Sequence, residues 1–362
     1  MKIVVTGTRG IPNIIGGVET HCEELLPRIA ANGYDVTIIR RRNYVQDALK
    51  EYNGVKIIDI GTPQKKSFEA IIHTLKAIWM AKKLRADIFH VHSVGPALVT
   101  PVARLFGLKV VITHHGPDYD REKWKKVAKF VLRTGERMGI WFANEVIVIS
   151  DVINTIVKEK YKRTNAHLIY NGVPAPNFIQ TTHYLEGLGV EPQKYIFTMG
   201  RFVPEKNFQQ LIKVFLSLDN RNGYKLVLAG DDVFNGLYSH EIKKMARGYE
   251  DKVILTGFIK GEKLHELFTH ASAFVLPSSH EGLPISLLEA MSYDLPVIVS
   301  DIPANLEVCL PQDSYFPVGN DEKLKEQLIK IIDQQPIRRK YQLDNYQWDN
   351  IAKQTIEVYE RI

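Results

Sequence analysis

Short apolar runs recur along this chain, separated by amphipathic stretches of helical period, and this alternation restricts the fold more than any other feature. Ile3–Thr6, Val36–Arg40, Lys56–Ile60, Ile88–His92, Val110–Thr113, Glu145–Ser150 and His167–Tyr170 read as strands, with helices between them, notably Val18–Ala31 and Phe68–Leu84. Strands joined through helices predict a doubly wound parallel sheet with both faces covered. A second series follows: Tyr195–Met199, Lys225–Ala229, Val253–Thr256, Ala273–Leu276, Val297–Ser300 and Ser314–Pro317. Between them, residues 172–192 carry Pro174 and Pro176 with little periodicity and read as a linker. At 362 residues the chain is long for one domain and comfortable for two. The expected domains are 1–175 and 190–344.

The segment Met1–Gly7 holds too short an apolar stretch for a signal peptide, and no run approaches the ~18 apolar residues of a membrane span. A cytoplasmic enzyme is therefore expected. Cys22 and Cys309 form no metal or redox spacing, and a buried structural thiol is expected of each. Residues 1–180 hold 27 Lys and Arg against 16 Asp and Glu, so the first half carries the basic excess of a chain whose net charge is +6. Its densest part is Arg121–Arg133, where Trp124, Val127, Phe130 and Val131 share one helical face among lysines. Such a helix suits either an anionic membrane surface, which would place the protein peripherally at the inner face of the cell membrane, or an ordinary core contact. No nucleic-acid module accompanies the charge, so nucleic acid is not an expected partner.

The chemistry concentrates in residues 277–291, Pro-Ser-Ser-His-Glu-Gly-Leu-Pro-Ile-Ser-Leu-Leu-Glu-Ala-Met. A buried strand enters a loop and the loop enters a helix, with Pro284 expected at the first helical position. Amides around Gly282, Leu283 and Ile285 then face an anion, flanking Pro284 in the same donor-binding turn, and the helix dipole favours a phosphate there. Glu281 stands at the mouth and Glu289 two turns down, where a carboxylate accepts a pair of hydrogen bonds from a sugar diol. Each glutamate alone fits a cap or a solvated face; their joint placement favours a site. Arg201 and Lys206 follow the strand Tyr195–Met199, at the edge where open α/β sheets bind ligands, and offer a fork and a point charge to a diphosphate. Gly16 and Gly17, between the first strand and the first long helix, either let backbone approach a phosphate or simply make a turn.

These segments resemble the retaining glycosyltransferases of family 4, which have the GT-B fold. The resemblance covers most of the chain and rests on Gly16-Gly17-Val18-Glu19, Thr113-His114-His115-Gly116, Tyr170-Asn171-Gly172-Val173, Gly200-Arg201 to Lys206, and Glu281 to Glu289. The first loop, Gly7-Thr8-Arg9-Gly10-Ile11-Pro12 and on to Thr20, is similar more narrowly to a bacterial rhamnosyltransferase-like subgroup, a likeness that does not fix the sugar.

The resemblance implies two Rossmann-like domains facing across a cleft, with helix 345–362 packing back on the first. It implies transfer of a hexosyl unit from a nucleotide-diphosphate sugar to a glycan or polyprenyl-diphosphate-linked acceptor, with no metal or other cofactor. Glu289 would hold the ribose, Glu281 the donor hexose, Gly16 and Gly17 would lie by the donor, and the nucleobase would lie near Gly257-Phe258-Ile259-Lys260. His115, or His114 if the alignment slips by one, would lie at the reacting hydroxyl. Retention without a carboxylate nucleophile implies a front-face reaction in which Glu281 positions and does not attack.

Two departures stand out. Asp294 occupies a place where the family commonly has glycine, and Asp tolerates the left-handed turn. Asp118-Tyr119-Asp120 is similar to the metal-binding motif of the other large glycosyltransferase fold, but the β/α order around it is wrong. Two rival enzymes remain. A non-hydrolysing nucleotide-sugar epimerase shares the two-domain fold. A short-chain dehydrogenase has a comparable glycine-rich first turn, but here Asn13 replaces the third glycine, and the Tyr52/Lys56 and Tyr119/Lys123 pairs are misplaced for its catalytic helix. A binding scaffold without activity is disfavoured by the presence of His115, Arg201, Lys206, Glu281 and Glu289 together.

Overall fold

A computed structural model describes residues 1–63, 69–117, 119, 126–219, 221–232, 236–334 and 337–362. The chain divides into one unit made of Met1–Gly172 with Asn345–Ile362, and another made of Val173–Asp344.

In the first unit the strands are β1 (Lys2–Thr6), β2 (Asp35–Arg41), β3 (Glu51–Tyr52), β4 (Val55–Ile60), β5 (Ile88–His92), β6 (Lys109–His114), β7 (Glu145–Val148) and β8 (His167–Leu168). They form one sheet in the order β3-β4-β2-β1-β5-β6-β7-β8. Ile3, Val4 and Val5 are all fully buried, as a parallel strand covered on both faces requires. Only β3 runs antiparallel, pairing with β4 through a turn at Asn53 and Gly54, whose φ values are 45° and 81°. Asn-Gly is the strongest short hairpin signal, and the strand it announces is just two residues long. The sheet grows outward in both directions from β1 and β5, so the switch point where such folds bind ligands lies beyond the ends of these two strands. The strand expected to reach Ser150 ends at Val148, because Ser150 Oγ accepts the Ile153 N–H and caps the helix Asp151–Tyr161.

The helix Trp348–Glu360 belongs to this unit. Ile351, Ala352, Ile356 and Tyr359 join Leu25, Leu26 and Ile29 of the helix Gly17–Ala31 in one apolar core. Tyr359 Oη lies 2.7 Å from His90 Nδ1. At Gly172 an added Cβ would come within 2.4 Å of the Trp348 ring, so glycine is what lets that ring close over the backbone.

The second unit carries β9 (Tyr195–Met199), β10 (Lys225–Ala229), β11 (Val253–Gly257), β12 (Ala273–Leu276), β13 (Val297–Ser300) and β14 (Tyr315–Phe316), all parallel, in the order β11-β10-β9-β12-β13-β14. The stretch read as a linker packs here. Leu185, in the helix His183–Gly187, is fully buried and its N–H bonds Glu266 Oε1 at 2.8 Å; the Ile179 N–H bonds Thr269 Oγ1 at 3.1 Å. Side chains of the helix Glu262–His270 thus supply partners that a free connector would lack. Asp294 takes φ 58°, the left-handed turn that Asp allows.

Cys22 is buried, but Cys309 is exposed, since it follows the short helix Pro303–Leu306 in a surface turn at φ 54°. Among the described residues no helix is long and apolar enough to cross a membrane. Of the basic stretch, residues 121–125, including Trp124, lie outside the described residues, as do Asp118 and Asp120. The helix Lys126–Phe142 buries Gly135, Glu136, Gly139 and Ile140 and leaves Val127 and Phe130 77% and 71% exposed beside Lys126 and Arg133.

Candidate active site

In the second unit the loop after β12 is fixed from its first turn. The Ser278 carbonyl accepts from Ser300 Oγ at the end of β13, and Ser278 Oγ donates to Glu281 Oε1 at 2.6 Å. The Ser279 N–H bonds the Glu205 carbonyl at 2.9 Å, tying this loop to the one after β9. Lys206 Nζ donates to Glu281 Oε1 at 2.6 Å, with the two side chains only 15% and 12% exposed. An ammonium held this deep by a single carboxylate keeps donors available for an incoming anion.

The helix beyond begins at Ile285, and Pro284, expected at its first position, stands just outside it. Pro284 precedes it with φ −75° and ψ 110°, an extended conformation, and its carbonyl accepts the Leu287 N–H at 3.1 Å. Glu289, half-buried, stands little more than one turn into the helix. The amides of Ile285 and Ser286, ahead of the Leu287 bond, keep the anion-binding polarity of a helix start. Leu283 is buried and Gly282 half-buried. Arg201 is half-buried directly after Gly200, and Phe258 is 41% exposed with Lys260 Nζ 5.9 Å over its ring.

In the first unit Gly16 has φ 152°, and a Cβ there would lie 2.1 Å from Glu19 Oε2 and 2.4 Å from Arg9 Nη2. That space is filled by the Arg9–Glu19 ion pair at 2.9 Å, while Glu19 Oε1 also accepts from Thr8 Oγ1 and the Arg9 N–H. The glycine thus serves a carboxylate latch that shapes the loop after β1. Gly17, the first residue of the helix, has open space around its Cβ position.

His115 follows β6. Its Nε2 lies 2.9 Å from His92 Nδ1, and the His21 ring packs edge-on with centroids 4.8 Å apart. His21 Nδ1 lies 2.9 Å from Asn171 Oδ1. Burial drives all of these imidazoles toward the neutral form: His21 falls to about 4, His90 to about 3, and His92 and His115 well below the usual range, the last two pushed further by neighbouring rings. His114 is committed elsewhere. It is buried, its Nε2 donates to Glu136 Oε1 at 2.8 Å, and its Nδ1 accepts the Gly116 N–H at 3.1 Å. Glu136 also takes bonds from Lys160 Nζ at 2.7 Å, Tyr119 Oη at 3.1 Å and Tyr161 Oη. Burial alone would raise the Glu136 carboxyl, but His114, Lys160 and Tyr161 outweigh it and hold it at about 2. Through His114 this hub sets the backbone at Gly116, beside His115.

Sequence reasoning missed His21, His92 and Glu136. The signal for His92 was present, since it closes β5 at the switch point of the sheet. Nothing local marked His21 or Glu136, whose partners come from distant elements.

The family described as "Glycosyltransferase Family 4" matches residues 15–175, and "Glycosyl transferases group 1" matches residues 184–348. An uncharacterized glycosyltransferase of Methanocaldococcus jannaschii is 24% identical over 99% of this chain and 98% of its own. The UDP-Gal:alpha-D-GlcNAc-diphosphoundecaprenol alpha-1,3-galactosyltransferase of Escherichia coli is 27% identical over 78% of this chain and 74% of its own. Among solved structures, the sucrose-phosphate synthase of Thermosynechococcus elongatus superposes with a TM-score of 0.84 at 19% identity, covering 99% of this chain and 98% of its own. Anabaena HepE, solved in complex with UDP-glucose, gives 0.81 at 17% identity, covering 100% and 99%. With both halves of the chain matched by transferase families and its two parallel sheets matched by solved structures, this protein belongs to glycosyltransferase family 4 and is a glycosyltransferase of the GT-B fold.

Proposed function

We propose that the enzyme moves a hexosyl unit from a nucleotide-diphosphate sugar to a hydroxyl of a glycan or polyprenyl-diphosphate-linked acceptor, in bacterial polysaccharide assembly, with retention and without a metal at the diphosphate. The observation that carries this reading is the Lys206–Glu281 contact at the mouth of the helix Ile285–Ser292. As the glycosidic bond lengthens, negative charge gathers on the leaving diphosphate while the sugar becomes cation-like. Arg201, Lys206 and the amides of Gly282, Leu283 and Ile285 receive that charge. Glu281, whose Oε1 is already bonded by Lys206 and Ser278, orients the hexose hydroxyls and does not attack the anomeric carbon. Glu289 takes the ribose diol, and the nucleobase lies by Phe258.

In the first unit, Gly16 and Gly17 bring backbone to the donor, and the neutral His115 hydrogen-bonds the acceptor hydroxyl. The leaving phosphate then accepts that hydroxyl's proton on the front face. The Escherichia coli relative's name gives UDP-Gal as its donor and a diphosphoundecaprenol-linked acceptor, which makes the uridine nucleotide the first to try.

The test is isothermal titration of the protein with uridine, thymidine, guanosine and adenosine diphosphates, and NAD, in excess EDTA. Metal-free binding of one diphosphate, lost in Arg201→Ala and in Glu289→Ala, is the expected result and names the base. Binding that requires a divalent ion, or that survives both substitutions, overturns the assignment.

A further inference from the structure

We propose that His21, His92 and His115 form a site for a borderline divalent transition ion such as Zn²⁺, and that the ion withdraws His115 from glycosyl transfer; this second part rests on the role given to His115 above. One ring nitrogen from each histidine lies within 4.8 Å of the others. The three come from separate elements: His21 from the helix Gly17–Ala31, His92 from the last residue of β5, and His115 from just beyond β6.

His21 and His92 are 3% and 0% exposed, and Nε2 of each has no hydrogen-bond partner among the described residues. Buried polar atoms are ordinarily satisfied, so two buried ring nitrogens left unused within one histidine cluster point to something that takes them up. Asn171 Oδ1 accepts the His21 Nδ1–H at 2.9 Å. That bond fixes the tautomer in which Nε2 carries a lone pair, the outer-shell arrangement of metal-bound histidines. Burial keeps all three rings neutral, which is the ligating form.

The donor set selects the ion. Three imidazoles suit Zn²⁺, Cu²⁺ or Ni²⁺, whereas Mg²⁺ and Ca²⁺ require oxygen. Three protein ligands leave a fourth position open to water. Zinc–nitrogen bonds of about 2.0–2.1 Å need all three ring nitrogens closer together than 4.8 Å, so binding requires a ring to rotate, and half-buried His115, first residue of its loop, is the least enclosed of the three. Once ligated, the His115 nitrogen is no longer available to the acceptor hydroxyl.

Equilibrium dialysis of the metal-stripped full chain against Zn²⁺, repeated with Co²⁺ as a spectroscopic probe, tests the site. The expected result is one ion per chain, a tetrahedral Co²⁺ spectrum without thiolate bands, and binding weakened at least about tenfold in His21→Gln and His92→Gln. Circular dichroism checks that these variants fold. Asn171→Asp supplies an independent reading, since a carboxylate behind His21 raises its basicity and is expected to tighten binding. No stoichiometric ion in the wild type, or equal affinity in every variant, overturns the site.

Transfer is assayed on the same samples, where loss on loading and recovery with a chelator are expected. A fully loaded protein with undiminished transfer overturns the role of His115 while the dialysis still reports the metal, so the two failures are distinguishable.

Discussion

Lys206 Nζ and Ser278 Oγ both lie 2.6 Å from the same oxygen, Glu281 Oε1, so one carboxylate joins the loop after β9 to the loop after β12. Lys206→Met removes the cation and leaves the bond from Ser278. The expected effect is a fall in kcat/KM for the nucleotide sugar of about 10²-fold, the scale of losing one donor to developing charge. Steady-state kinetics read it, and an unchanged kcat/KM would remove this pair from the reaction.

The Glu136 hub predicts a sensitivity to acid. An unfolded glutamate titrates near about 4.3, whereas the folded carboxyl is held at about 2. The folded value is depressed, so the stabilisation is fully present above the unfolded value and fades as pH falls toward about 2. The difference corresponds to roughly 3 kcal/mol. Urea midpoints measured from neutral pH into the acid range should fall less steeply for Glu136→Gln than for the wild type; parallel pH slopes would contradict the prediction.

Adjacent glycines should respond differently. Gly16→Ala forces a Cβ against the Arg9–Glu19 latch at a φ that side chains rarely adopt, at a cost of about 1–3 kcal/mol. Gly17→Ala meets no atom, and should stay within about 0.5 kcal/mol of the wild type. Denaturant titration of the two variants side by side decides the point, and equal stabilities would argue against the latch.

The exposed Val127 and Phe130, beside Lys126 and Arg133, predict attachment to anionic lipid. Sedimentation with anionic vesicles at low salt should carry the wild type down. Phe130→Glu should leave it largely in the supernatant, and raised salt should weaken binding by screening. If the wild type stays in the supernatant at low salt, the helix has no such role.

The strands were legible because parallel strands buried on both faces are continuous apolar runs, as in Val4-Val5 and Phe274-Val275. Pro284 was misplaced by one residue for a specific reason: proline fixes φ but leaves ψ open, and ψ 110° puts it outside the helix. Cys309 follows the same logic, since residue type gives an average burial and the turn after Leu306 decides the actual one. The order of motifs made the family readable, whereas the contacts among their side chains were not. Lys206 and Glu281 are 75 residues apart, and no local pattern announces that they touch. His21, His92 and His115 are likewise assembled by the sheet and the helix packed on it.

The hydrogen bond between His90 and Tyr359 spans 269 positions of the chain and lies inside the core of the first unit. It has a consequence for the order of events during synthesis. When the ribosome has finished residue 172, the seat formed by Leu25, Leu26 and Ile29 still awaits its covering helix, and the whole of Val173–Asp344 is made before that helix emerges. An apolar groove left open for so long is a hazard for aggregation and a natural place for a chaperone to bind. The last apolar contacts of the first unit thus form after translation of the second, which makes closure of this long-range contact a candidate for the slow step in maturation.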